Sequence, residues 1–458
     1  MKRLSIFSIA LFLLLAGILL TASAPAHTGH RVRAFNPIVF IHGGSGSGGQ
    51  FESQALRFES NLYPPEYIHV LEYDSRLTIE TMDDVWTRLD RLIAEIQEKT
   101  GADQIDLIGH SYGGFVSYGY MESSTERAMT IARYVSLDSF SSPHDYIPAG
   151  VQTLALWAQY GTCQGCSITG ATNITIPNQT HVQLATSAES FVEMYKFLTG
   201  RKPFTKYILP QLHGRIEIAG RAVLFPQNIG VQGAALELWE INGETGMRKG
   251  KIPRAVFTID ETGAWGPVTV KRGAHHEFAL VREGIFTHHF YVEPFIRSDY
   301  LVRLNAEKPG TGLGDYMTVS DHHTNMVIIR YNELRGDQGE GNDILEINGV
   351  NVVSPATHPM SRFINATFVF DKGADGVSNL GVTIFPFNLI TFMAGVDLFI
   401  PGTTPPDGTV SIVLTPRDGG GRKQTINIPN RASLNDRSTV QFHEYVQPGH
   451  CMKLTKTH

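Results

Sequence analysis

An apolar run that stops in a tight, glycine-flanked turn constrains this chain more than any other feature: Ile105-Asp-Leu-Ile108 leads into Gly109-His-Ser-Tyr-Gly113 and then into a helix-compatible segment. A serine at the centre of such a strand-to-helix turn is lifted above the sheet edge. The flanking residues must be glycine, because side chains there would collide with the chain on either side. Ser111 is therefore the candidate nucleophile. In a chain with 45 glycines the five-residue pattern gains meaning only from its surroundings.

Those surroundings read as a parallel sheet. From Asn36 onward, apolar runs alternate with amphipathic stretches, the pattern of strands covered by helices. Strands are expected at Ile38 to Ile41, His69 to Tyr73, Ile105 to Ile108, Tyr134 to Leu137, Thr153 to Trp157 and Asn173 to Ile176. Val85, Leu89, Leu92, Ile93 and Ile96 form one apolar helical stripe that Gly101 is placed to end. A second helix is expected from Ser187 to Leu198, with Thr186 and Glu189 as a capping box and Gly200 as the stop.

After Pro203 the texture changes to short β-branched and aromatic runs separated by turn signals. Ala234 to Ile241, Ala255 to Ile259 and Phe278 to Val281 read as strands, as do Met326 to Tyr331, Thr367 to Phe370, Val382 to Phe387 and Val410 to Leu414. The predicted organisation is an α/β domain over residues 27–203, a mostly parallel sheet with helices on both faces. All-β, sandwich-like units follow over 204–306 and 307–458.

A nucleophilic serine needs a base, an acid that orients the base, and donors for the oxyanion. The first strand ends in Phe40-Ile-His-Gly-Gly-Ser-Gly-Ser-Gly-Gly49, a loop almost free of side chains, so the amides of Gly44 and Tyr112 are the candidate donors. A phosphate-cradling loop does not fit, because the Lys-Ser/Thr ending is absent. No Asp or Glu stands between Asp145 and Glu189, so the strand Thr153 to Trp157 cannot supply the acid. Asp138, at the end of the strand before it, takes that place, with Asp145 in reserve. His181 stands on the expected loop between last strand and last helix, while His42 and His110 sit where they would brace loops.

The N-terminus has the form of an export signal over residues 1–26. Lys2 and Arg3 precede an apolar run from Leu4 to Leu20 and the small-residue sites Ala22-Ser-Ala24 and Ala24-Pro-Ala26; an uncleaved anchor is the competing reading. An exported chain meets an oxidising compartment, which suits a disulfide between Cys163 and Cys166 and leaves Cys451 over. A net charge of -6 without clustered Lys or Arg argues against a nucleic-acid partner. Asn173, Asn178 and Asn365 stand in glycosylation sequons.

Taken together, the His-Gly turn, Gly-His-Ser-x-Gly, Ser136-Leu-Asp138 and Thr180-His-Val-Gln-Leu184 resemble the α/β-hydrolase superfamily. More narrowly they resemble a secreted carboxylesterase/lipase group in which a short hydrolase domain carries a C-terminal β domain, as in an archaeal long-chain lipase. Gly48-Gly-Gln-Phe-Glu-Ser-Gln-Ala55 and Tyr291-Val-Glu-Pro-Phe-Ile-Arg-Ser-Asp299 carry the likeness to about Leu304. The resemblance implies a Ser111, Asp138, His181 triad with Gly44 and Tyr112 as oxyanion donors, acting on carboxylic esters of lipid type, with no metal or organic cofactor. The β units would supply an apolar wall or a lipid-surface contact. Only Ser75 to Thr81 separate Asp74 from the next helix, too little for a lid, which points toward shorter or soluble esters. A polyester depolymerase or serine peptidase would use the same triad, and a non-catalytic binding protein could keep the same fold. Oligomeric state is not legible in the sequence.

Overall fold

The computed structural model describes residues 35–139 and 150–445. The expected export segment, Asp145 and Cys451 lie outside the described residues. Among the described residues no helix is long and apolar enough to cross a membrane.

Six strands form one parallel sheet: β1 (Ile38–Ile41), β2 (Ile68–Leu71), β3 (Ile105–His110), β4 (Ile131–Leu137), β5 (Gln152–Tyr160) and β6 (Thr172–Thr180), in the order β2-β1-β3-β4-β5-β6. Alternate residues of each strand feed opposite cores. Ile38 and Phe40 of β1 join Ile108, Phe58 and Phe191 on one face, while Val39 and Ile41 join Leu107, Leu89 and Val116 on the other. Helices α1 (Glu52–Ser60), α5 (His181–Thr186) and α6 (Ala188–Thr199) cover the first face. The second is covered by α2 (Met82–Thr100), α3 (Tyr112–Ser123) and α4 (Thr125–Met129). Strand order reverses between β1 and β3, and in open sheets the carboxyl ends of the strands at such a reversal form the binding crevice. The Gly-rich loop and Ser111 follow those two ends.

The apolar stripe on α2 buries Val85, Leu89, Ile93 and Ile96 and leaves Leu92 half-buried at its margin. Thr81 and Asp84 make the N-terminal capping box, and Gly101 ends the helix at φ 63°. The start of α6 departs from expectation. Its cap is Ser187, whose hydroxyl accepts the Ser190 amide. Thr186 instead ends the short helix α5 and donates to the Gln183 carbonyl, so no Thr186/Glu189 box forms.

Beyond Thr199 no α-helix occurs among the described residues. The first β strands are β7 (Arg215–Leu224), β8 (Ile229–Gly230), β9 (Ala235–Ile241), β10 (Ala255–Thr258), β11 (Ala264–Lys271), β12 (His275–Val281), β13 (Thr287–Val292) and β14 (Asp299–Ala306). They are followed by β15 (Met326–Arg330), β16 (Ile344–Ile347), β17 (Val350–Asn351), β18 (Ala366–Phe370), β19 (Met393–Asp397), β20 (Thr409–Thr415), β21 (Gln424–Pro429) and β22 (Asp436–Phe442). A central eight-stranded sheet, β10-β9-β12-β13-β22-β15-β18-β19, takes strands from both sides of residue 306. The two expected β units are thus joined where β22 pairs in parallel with β13 and β15.

Strand alternation decides what the central sheet covers. Leu238, Phe278 and Phe290 pack against the sheet β11-β7-β14, whereas Trp239, Ala279 and Tyr291 face the sheet β17-β16-β20-β21 on the opposite side. The expected strand at Val382 to Phe387 is absent. Pro386 lacks an amide to donate, the Asn388 amide bonds the Ile384 carbonyl at 2.9 Å, and the resulting turn buries Ile384 and Phe387 together against Phe368.

Candidate active site

The turn after β3 holds Ser111 at φ 53°, ψ −123°, a conformation that costs a non-glycine residue on the order of 1–3 kcal/mol and has to be enforced by its surroundings. The enforcement is visible at the flanking glycines. A Cβ on Gly113 would lie 2.1 Å from the Ile41 carbonyl oxygen, and one on Gly109 would lie 2.6 Å from the Gly113 carbonyl oxygen. The Ser139 hydroxyl donates to the Ser111 carbonyl at 2.9 Å and pins the turn from the next strand end.

Asp138 also has positive φ, 42°, which swings its buried carboxylate toward the end of β5. There Oδ1 accepts the Ala158 amide at 3.1 Å and Oδ2 accepts the Thr162 amide at 3.0 Å. The strand that has no acid of its own cradles the one borrowed from its neighbour. Gly161 completes the cradle, since a Cβ there would fall 2.4 Å from both carboxylate oxygens. His181 Nδ1 donates to Asp138 Oδ2 at 2.6 Å. Burial alone would raise the Asp138 pKa, but the hydrogen bonds from His181, Thr162 and Ala158 hold it below the ordinary carboxylate value.

His181 is the first residue of α5 rather than part of a loop, and is 3 % exposed. With Nδ1–H bonded to Asp138, its other nitrogen is left as a base. Ser111 and His181 line the same cavity, and Phe363 places its ring 5.9 Å from the imidazole. Gly44 and Tyr112 face one another, because a Cβ on Gly44 would stand 3.9 Å from the Tyr112 Cβ. Tyr112 opens α3, whose first amides lack intrahelical partners. Gly44, named as an oxyanion donor, therefore packs beside the residue that follows Ser111 and lines the same cavity as Ser111.

His110 and His42 are braces. His110 Nδ1 accepts from Gln50 Nε2 at 2.6 Å, and its Nε2 donates to the His181 carbonyl at 2.9 Å. Gln50 Oε1 accepts the Gly43 amide at 3.3 Å, so one chain of bonds runs from the Gly-rich loop to the backbone of His181. Burial, with His181 adjacent, pushes the His110 pKa down to about 3, and burial likewise lowers that of His42.

Sequence reasoning missed the side chains that reach this site from the β region. Asn228 Nδ2 donates to the Gly46 carbonyl at 2.8 Å and the Tyr73 carbonyl at 3.1 Å. Arg303 pairs with the buried carboxylate of Glu72, which accepts the Gly48 amide at 3.0 Å. On the histidine side, Glu333 accepts from the Thr180 hydroxyl, and Arg335 donates to Gln183 Oε1. Both halves of the site are gripped from outside the hydrolase domain. No local pattern signals such contacts, because each partner lies more than a hundred residues away.

A cavity of about 530 Å³ opens above Ser111. The Gly-rich loop, His110 and His181 line one part of it, and the β region lines another with a largely apolar set, Leu313, Met317, Val327, Ile329, Phe368 and Phe392, interrupted by Asn305, Glu307 and Arg437. The cover that the short Ser75 to Thr81 stretch cannot supply thus comes from later in the chain. Cys163 and Cys166 form a disulfide packed beside Trp157 and Ile168.

An alpha/beta hydrolase family model matches residues 38–192, a lipase C-terminal domain model matches residues 214–309, and a further C-terminal domain model matches residues 312–446. Among solved structures, a monoacylglycerol lipase from Paleococcus ferrophilus is 11% identical over 36% of this chain and 96% of its own, with a TM-score of 0.26. Lipase B from Aspergillus fumigatus is 11% identical over 40% of this chain and 56% of its own, with a TM-score of 0.28. A CIB-like hydrolase from Thermoplasma acidophilum is 13% identical over 36% of this chain and 87% of its own, with a TM-score of 0.28. A search of curated proteins finds no match. The chain carries an α/β-hydrolase domain followed by a lipase-type C-terminal region rich in antiparallel strands.

Proposed function

We propose that this α/β hydrolase is an exported serine esterase that cleaves lipid-type carboxylic esters through Ser111, His181 and Asp138. The observation that carries the reading is the convergence of a strained serine and an Asp-bonded histidine on one cavity lined largely by apolar side chains of the β region. His181 takes the Ser111 proton as the hydroxyl attacks the ester carbonyl, and the Gly44 and Tyr112 amides receive the oxyanion. Asp138 keeps the imidazole in the required tautomer and stabilises its protonated form. The protonated histidine then releases the alcohol, and a water activated by the same nitrogen hydrolyses the acyl-enzyme. No step calls for a metal or organic cofactor.

The wall of the cavity favours acyl chains over peptides. Apolar side chains reward burial of methylene groups at ~0.8 kcal/mol each and offer little to a polar backbone. Tyr316 and Leu389 are more than half exposed and directly precede cavity-lining residues Met317 and Ile390, and the exposed Phe385 ring lies 6.5 Å from that of Tyr316, which supports docking on a lipid surface. The signal-like segment at residues 1–26 supports export. The Ser111→Ala protein is the test: it should keep its circular dichroism, lose p-nitrophenyl ester turnover and resist labelling by a fluorophosphonate. Normal turnover in that variant, or hydrolysis of peptides in place of esters by the parent, would refute the assignment.

A further inference from the structure

Glu52 at the start of α1, Asp299 at the start of β14 and His443 just beyond β22 come from three distant parts of the chain and meet in its interior. One donor atom from each lies within 4.8 Å of the other two, and the residues are 3 %, 1 % and 3 % exposed. None of the three lines the catalytic cavity.

The polar groups here are incompletely partnered. His443 Nδ1 stands 2.8 Å from Glu52 Oε2, and Asp299 Oδ1 accepts the Leu301 amide at 2.9 Å. Glu52 Oε1 and Asp299 Oδ2 find no donor among the described residues, and the buried Tyr445 hydroxyl, whose ring stacks on His443 at 4.7 Å, finds none either. No Lys or Arg forms an ion pair with Glu52 or Asp299 among the described residues. A third carboxylate, that of the half-buried Glu293, accepts the His443 amide at 3.1 Å. Two adjacent carboxylates in a dry interior cannot both ionise without a countercharge. Among the described residues the basic group bonded to this pair is His443 itself, and Glu52 Oε1 and Asp299 Oδ2 are left as open acceptors.

We propose that Glu52, Asp299 and His443 bind a divalent transition-metal ion of the zinc type, which fastens the hydrolase domain to the β region. One imidazole nitrogen and two carboxylate oxygens are a zinc-type donor set with a fourth position left for water. Calcium asks for six to eight oxygens, and an imidazole is not among its usual ligands. Tetrahedral ligands ~2.1 Å from an ion lie about 3.4 Å apart, so closure asks each side chain to move by under about one ångström. The three positions are too far apart in sequence for any ligand spacing to reveal them.

The test uses the full, untagged chain. After incubation with zinc and dialysis against metal-free buffer, elemental analysis should find about one zinc per chain. Chelation should lower the melting temperature by several degrees or more, and zinc but not calcium should restore it. His443→Gln and Asp299→Asn should each hold less than about a tenth of an equivalent. The unmutated protein overturns the proposal if it binds no zinc and its melting temperature ignores both zinc and chelator; the carboxylate pair then shares a proton. Restoration by calcium alone overturns the zinc-type assignment, and a full equivalent in both variants overturns the site.

Discussion

The Thr180 hydroxyl donates to Glu333 Oε2 at 2.6 Å with both residues wholly buried, tying the residue before His181 to a strand end 153 positions later. Glu333 is held by Arg335 and Arg417, and Arg417 and Arg330 both donate to its carbonyl. The cap of α5, which carries the proposed base at its first position, is therefore set by an ion network in the β region.

Replacing that hydroxyl without changing its volume isolates the tether. Thr180→Val should lower kcat for a short soluble ester by about 10–100-fold, because small displacements of a positioned base are costly, while KM stays within about two-fold. Stopped-flow and steady-state rates on p-nitrophenyl butyrate decide it. An unchanged kcat would mean that α5 holds His181 without help from the β region.

Asp138 is gripped by the end of β5, and Gly161 is the point where that grip has no slack. Gly161→Ala places a methyl group 2.4 Å from the carboxylate oxygens and has to displace either the loop or the acid. The expected result is a kcat reduced by roughly 10² or more, with Asp138→Asn reduced by roughly 10⁴, both with native circular dichroism. If Gly161→Ala is as active as the parent, the carboxylate is not held where the hydrogen bonds place it.

Most of the hydrolase sheet was legible in the sequence because its information is local. Apolar runs of four to six residues, the Gly-x-Ser-x-Gly turn and the stripe on α2 each depend on neighbours within a few positions, and all six expected strands occur. The β region was less legible for the opposite reason. Strand β22 pairs with β13 and β15 from 149 and 112 positions away, and Pro386 turned an apolar run into a packed turn. At the site, chain order brought Ser111, Asp138 and His181 to attention, and the structure places the last two 2.6 Å apart. Asn228, Arg303 and Glu333 had no such order to betray them.

The central sheet carries its own pH dependence. Glu277 is fully buried, and although burial raises its pKa, bonds from Arg248 and His289 bring it down to about 2. A depressed folded pKa stabilises the protein at pH values above the unfolded carboxyl's, and that stability drains away as pH falls from about 4.5 toward 2. Compared with Glu277→Gln by chemical denaturation, the parent's advantage should be on the order of 3 kcal/mol at pH 6 and shrink steadily below pH 4.5. A difference that stays flat from pH 6 to pH 3 would show that the carboxylate charge is not what Arg248 and His289 hold.

Acyl-chain preference should be set by the β-region wall rather than by the triad. Val327 and Ile329 are half-buried on β15 and line the cavity beside Phe368, so a larger side chain at 327 has nowhere to go but into it. Val327→Trp should leave turnover of p-nitrophenyl acetate within about two-fold. With each buried methylene contributing ~0.8 kcal/mol, it should cut kcat/KM for a long-chain ester by roughly 10². Phe385→Ser with Leu389→Ser separates surface docking from chain binding. That pair should slow hydrolysis of emulsified esters and leave soluble ones untouched, since both side chains are exposed to solvent and neither lines the cavity. A Val327→Trp profile parallel to the parent's at every chain length would place the acyl group outside this cavity, and the lipid-type reading would fall while Ser111 kept its role.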